Sequence, residues 1–142
     1  MRPEDDGITH INVYSKAQTE LGRWMSNFAH TPFTINDHGT FASVEGYWYW
    51  LGCRDDQLRT CYGFQAKKLG RELPRTVHLP DAEFQHHIAL ALEIKAKAEP
   101  RMLAMLKKST LPFAHYYVFA NGVKDAGYKW ILEIWDAIRR GE

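Results

Sequence analysis

Ser43-Val44-Glu45-Gly46-Tyr47-Trp48-Tyr49-Trp50-Leu51-Gly52 is the stretch on which the reading of this chain turns. A serine such as Ser43 favours a helix start, because its hydroxyl accepts from first-turn N–H groups that lack a helical partner. A glycine such as Gly52 favours a helix end, because it enters the left-handed conformation freely. A helix between them carries Val44, Trp48 and Leu51 on one face and Glu45 beside Tyr49 on another. Glu45 then lies in the first turn, where a carboxylate complements the helix dipole. It also lies among aromatic side chains, an unusual setting for a merely solvated glutamate.

Outward from this helix, the pattern alternates between short extended pieces and longer helices. Ile11 and Val13 alternate with polar neighbours within Ile8 to Tyr14, which predicts a strand. Ser15 to Gly39 reads mostly as loop. Thr31-Pro32 is a turn signal, Phe33-Thr34-Ile35 a short strand, and Asp37-His38-Gly39 a turn. Gln57 to Leu73 is helical, broken or bent near Gly63. Pro80-Asp81 opens the longest helix with Asp81 as its cap, and Pro100 starts a new helical segment. His115 to Phe119 reads as a strand followed by an Asn121-Gly122 turn. Trp130, Ile131, Ile134, Trp135 and Ile138 mark an amphipathic final helix. The expected fold class is α+β, a mostly helical single domain over 1–142 with a few short β-strands.

Composition narrows the function classes. The 142 residues are 45% hydrophobic, enough for a core, and 13% aromatic, enough to line a site as well. A net charge of +1 gives no bulk attraction to DNA or to a membrane. The two cysteines, Cys53 and Cys61, fit no zinc spacing and read as free thiols in a reducing compartment. No apolar stretch approaches the ~18 residues of a membrane span, so a soluble, cytoplasmic protein is expected. His86-His87 is no metal pair by spacing, since neighbours on a helix face different ways. No metal and no cofactor are expected.

Three segments carry a resemblance. Ser26-Asn27-Phe28, a short loop and Pro32-Phe33 come first, then Val44-Glu45-Gly46-Tyr47-Trp48, then Ala66-Lys67-Lys68-Leu69-Gly70-Arg71. In this order and spacing they resemble the NADAR family, also called YbiA-like or DUF1768. Gly46 stands where that family usually has histidine. The resemblance implies a YbiA-like fold and N-glycosidase chemistry. The bond cut joins a ribose to a nitrogen, either in ADP-ribosylated guanine (as base, nucleotide or within DNA) or in a ribosylamino-pyrimidine phosphate of riboflavin synthesis. The partner is then a nucleotide-like substrate, with no membrane involved. A non-catalytic module that binds ADP-ribose or a nucleotide is the alternative.

Such a reaction makes the ribose cationic as its C–N bond breaks, and an ionised carboxylate beside it stabilises that charge. Glu45 is the catalytic candidate, expected to ionise near the ordinary ~4.3 of a glutamate. Tyr47 and Trp48 are the candidate base-contacting aromatics, although most of the aromatic run must pack the core. Asn27 can hold a ribose hydroxyl or a base edge, or simply cap a turn. Arg71 suits a phosphate through its planar guanidinium. Lys67 and Lys68 are expected on a solvated helix face.

Overall fold

The helix at the centre of the sequence argument forms as its ends demand. The computed structural model describes all residues 1–142. Ser43 Oγ accepts from the Gly46 N–H at 3.0 Å and donates to the Cys61 carbonyl at 2.8 Å. Helix α2 (Val44–Cys53) therefore starts anchored at both its own first turn and a neighbouring segment. It does not stop at Gly52. It runs on to Cys53 and ends at Arg54, whose φ of 53° places it in the left-handed region with its N–H on the Trp50 carbonyl. Gly52 serves another purpose: its carbonyl accepts from the N–H groups of Thr76 and Val77.

Two compact units divide the chain, one continuous over 27–98 and one built from 1–26 with 99–142. In the first, strands β2 (Phe33–Ile35) and β3 (Gly39–Phe41) form an antiparallel hairpin, with Phe33 opposite Phe41 and Ile35 opposite Gly39. The stretch from 57 to 73 splits into a 3-10 helix, Asp56–Thr60, and helix α3, Gly63–Glu72. Gly63 opens α3 at a φ of +63°, a conformation that suits glycine. Helix α4 (Asp81–Lys97) has Pro80, not Asp81, at its cap position. Asp81 instead supplies first-turn negative charge. Phe41, Val44, Tyr47, Leu51, Leu58, Ile88 and Leu92 are all 0% exposed and form the core of this unit.

The other unit pairs β1 (Ile11–Asn12) in parallel with β4 (Phe113–Ala114). Helix α1 (Glu20–Met25) occupies a stretch expected as loop. Thr19 caps it, accepting from the Gly22 N–H at 2.9 Å. Pro100 stands at the first position of α5 (Pro100–Lys108) as expected. The strand β5 (Tyr116–Phe119) turns through Ala120-Asn121 into β6 (Gly122–Asp125), which the sequence reading did not anticipate. Helix α6 (Lys129–Arg140) buries Ile131 and Trp135, and the Trp135 ring meets that of Trp24 at 5.2 Å. The Asn12 side chain holds Tyr116 like a strand neighbour, donating to its carbonyl and accepting from its N–H, each at 3.0 Å. The architecture is α+β, with six helices and three two-stranded sheets. No helix is long and apolar enough to cross a membrane.

Gly46 shows why a histidine does not stand there in this chain. A Cβ on it would lie 2.6 Å from the Leu58 carbonyl oxygen and 3.2 Å from that of Cys61. Both are backbone atoms, so relief requires the 3-10 helix to move. Gly46→Ala is expected to lower stability by about 1–3 kcal/mol, the usual cost of overpacking, despite alanine's better helix propensity. Chemical denaturation of the two proteins checks this, and an unchanged or raised midpoint would contradict it.

Candidate functional site

Glu45 occupies the first turn of α2 and is partly buried. Its backbone N–H donates to the Asn27 carbonyl at 2.9 Å, which brings the two sequence candidates side by side. The Asn27 Oδ1 is itself buried and has no hydrogen-bond partner. A buried acceptor without a donor costs free energy unless something supplies one. The Asn27 side-chain oxygen thus keeps an unused acceptor capacity.

Burial pushes the Glu45 carboxyl up to about 7, and the positive charges of Lys67 and then Arg71 hold it from rising further. This corrects the expectation of an ordinary, fully ionised glutamate. The reason is desolvation: the charged form loses more hydration than the two cations return. Lys67 is thereby drawn into the site, contrary to its reading as a solvated residue. It is half-buried, and its ammonium lies 6.0 Å from the centre of the Phe28 ring. Arg71, exposed in the last turn of α3, stands four residues on and so on the same helix face. That i, i+4 spacing was the available signal for Lys67, and it becomes visible once Arg71 is placed near Glu45.

Trp48 lies one helical turn beyond Glu45, half-buried, with its ring edge-to-face to Phe84 of α4 at 4.8 Å. Tyr47 does not join this group. Two residues along a helix means a rotation of about 200°, and Tyr47 is 0% exposed on the opposite side. Its ring packs on Phe33, Phe41 and Trp50, and its hydroxyl pairs with His38 Nδ1 at 2.7 Å. It is a core residue, and the expectation of ligand contact is corrected accordingly. His38, which sequence reading passed over, is held below the ordinary histidine range by burial, reinforced by Arg54, His87 and Arg59. Its Nδ1 shares a hydrogen bond with the Tyr47 hydroxyl at 2.7 Å.

No protein-family model matches the chain, and no curated protein matches it in sequence. Among solved structures, the NMR structure of the E. coli protein YbiA superposes with a TM-score of 0.72, covering 99% of this chain and 92% of YbiA. The chain has the fold of YbiA. Sequence identity is 18%, so the likeness is one of backbone architecture. The YbiA-like fold expected from three short motifs is thus the fold found.

The buried carboxyl has a measurable signature. Its ordinary value of 4.5 rises to about 7 in the folded chain, so the folded protein holds an extra proton between those limits. Stability contributed by Glu45 is accordingly full below pH 4.5 and is lost as pH rises through 7. Glu45→Gln is expected to match wild type near pH 4.5 and exceed it above pH 7, by up to about 3 kcal/mol. Paired denaturation curves at acidic and mildly alkaline pH test this; a gap that fails to widen would refute the burial argument.

Proposed function

We propose that this chain is an N-glycosidase that hydrolyses the bond between a ribose anomeric carbon and a nitrogen, with Glu45 as its working carboxyl. The observation that carries the reading is a partly buried glutamate with a midpoint of about 7, under the influence of the α3 cations Lys67 and Arg71, whose backbone N–H is bonded to Asn27, a residue with an unpartnered buried side-chain oxygen. A carboxyl poised near neutrality can both accept and return a proton, as general acid–base catalysis requires. The resemblance of Ser26-Asn27-Phe28, Val44-Glu45 and Ala66 to Arg71 to NADAR motifs supports the same chemistry, as does the YbiA-like fold.

In this mechanism the C–N bond breaks and its electron pair passes to the nitrogen of the leaving base. The ionised Glu45 stabilises the cationic ribose and takes a proton from the attacking water, whose oxygen bonds the anomeric carbon. The proton then passes from Glu45 to the departing nitrogen, so the carboxylate is restored. Asn27 Oδ1 accepts from a ribose hydroxyl and fixes the sugar beside the carboxylate. Arg71 meets a substrate phosphate. Trp48 offers an aromatic surface to the base, while Tyr47 supports the helix from behind. The two substrate classes are ADP-ribosylated guanine and a ribosylamino-pyrimidine phosphate.

Glu45→Gln keeps size and hydrogen bonding and removes the charge. Turnover of ADP-ribosylated guanosine or of the pyrimidine substrate is expected to fall about 10²–10³-fold, with little change in KM. Wild-type turnover should rise with pH through a midpoint of about 7, as the carboxylate form fills. A folded Glu45→Gln protein with wild-type turnover would remove Glu45 from the mechanism. A wild-type protein that binds ADP-ribose tightly and turns over neither substrate would identify a binding module instead. Arg71→Ala is expected to raise KM for the phosphorylated substrate and leave its dephosphorylated analogue nearly unaffected. An equal loss for both would assign Arg71 to the electrostatics of Glu45 alone.

A further inference from the structure

Between residues 27 and 98, the large apolar side chains left exposed are those of Tyr62 and Phe64, on either side of Gly63. A lone exposed aromatic is ordinary on a protein surface. This pair comes with neighbours that suit one kind of ligand. His30 stacks on the Tyr62 ring at 4.3 Å with the planes 14° apart, and Tyr62 stays 47% exposed. Phe64, in the first turn of α3, is 67% exposed. At about 100° per residue, Phe64, Lys67, Lys68 and Arg71 fall on one stripe of α3 that is about 100° wide. Lys68 and Arg71 are exposed along it and Lys67 is half-buried, while Glu72, the one acid of this helix, lies at its edge. The backbone fixes the start of the stripe. Gly63 donates its N–H to the Phe28 carbonyl at 2.9 Å, and Glu45 donates to the carbonyl of Asn27, so Asn27-Phe28 ties the starts of α2 and α3 together.

We propose that Tyr62, Phe64 and the cations of α3 form a binding surface for single-stranded nucleic acid, with unpaired bases on the two rings and phosphates on Lys68 and Arg71. Bases of any sequence stack on aromatic faces, and cations beside the rings track the backbone. A duplex hides its base faces in its own stack, so the rings favour the single strand. From Phe64 to Arg71 the stripe rises about 10 Å, the reach of about two or three stacked nucleotides. With a net charge of only +1, the attraction belongs to this patch and not to the whole chain. A membrane anchor needs an apolar helix face, whereas Phe64 is the single apolar member of a stripe otherwise made of Lys67, Lys68 and Arg71. Nothing on the stripe distinguishes ribose from deoxyribose, so the shared chemistry of DNA and RNA strands is what it recognises. Arg71 is common to this surface and to the proposed substrate site, but the surface needs no turnover to be real.

Fluorescence anisotropy of the full chain with labelled oligodeoxythymidine and oligouridine of about 12 nucleotides, and with a duplex of equal length, tests this. Either strand should bind more tightly than the duplex, and comparing the two strands assigns the sugar. Phe64→Ala and Tyr62→Ala should each weaken single-strand binding by roughly 5–100-fold, the worth of one stacked base. Phe64 is exposed, so its loss leaves the core untouched. Phe64→Leu keeps apolar bulk without a π-face and should weaken binding nearly as much, which an apolar contact would not show. Lys68→Gln should flatten the slope of log affinity against log salt by about 0.7, as loss of one phosphate contact requires. Duplex bound as tightly as strand, or Phe64→Ala and Tyr62→Ala proteins that both bind strand like wild type, would overturn the proposal. So would binding confined to phosphatidylserine vesicles, or a dimer in solution that Phe64→Ala dissolves, since either gives the patch to another occupant. The oligonucleotides carry no modified base, which separates this idea from the enzymatic one. Strand binding without turnover of either substrate keeps the surface and discards the N-glycosidase reading, and turnover without strand binding does the reverse.

Discussion

Backbone can approach backbone only where no Cβ intervenes, and this chain uses that rule on both sides of α2. Gly46 lets the helix meet the carbonyls of Leu58 and Cys61, and Gly70 lets α3 meet the ring of Tyr49. Ser43 adds a polar tie, its hydroxyl bonding the Cys61 carbonyl while it caps α2. The result is a helix start held tightly among polar backbone groups. Glu45 is partly desolvated because it is carried on that start, and its chemistry follows from the packing rather than from its own side chain. The same residue on a solvated helix would be an ordinary capping-turn carboxylate.

The aromatic run from Tyr47 to Trp50 shows how one helix divides its labour. Tyr47 and Trp50 turn inward, onto Phe33, Phe41 and the imidazole of His38. Trp48 remains half-buried against Phe84, on the flank that carries Glu45. The guanidinium groups of Arg54 and Arg59 lie 4.6 and 4.9 Å from the Trp50 ring centre, so even the rim of this cluster is stacked. Such packing fixes α2 from its inner side, and under the proposed mechanism a fixed carboxyl is what electrostatic stabilisation requires.

What could be read from the sequence was what is written locally. The capping serine, the periodic final helix and the proline at the start of α5 each declare themselves within a few residues, and each element formed there. Helix α1 escaped because its six residues span less than two turns, too short for periodicity to stand out, although Thr19 and Glu20 mark its start. Strands β3 and β6 escaped because three or four residues carry little alternation, and β6 is exposed throughout. The pairing of Ile11 with Phe113 has no local signal at all, since a parallel pair needs no turn. Glu45, Asn27 and Arg71 were singled out by their motifs, and their roles belong to the proposed function. The elevated Glu45 midpoint was not, because desolvation depends on neighbours that only the fold supplies. The placement of Lys67 and Tyr47 likewise depended on which helix face meets which partner.

The clamp of Asn12 on Tyr116 joins residues more than a hundred positions apart, and the ion pair of Glu20 with Arg101 spans almost as many. Neither can form until the ribosome has delivered the last third of the chain. The segment 27–98, by contrast, is a contact unit of its own drawn from one continuous stretch. Its contacts are available while the flanking strand Ile11–Asn12 still lacks its partner. Closing a loop of this length is less costly once its middle has collapsed, because a folded insert leaves fewer free links to order. On this topology the contacts of residues 1–26 with 99–142 are the last that synthesis makes available.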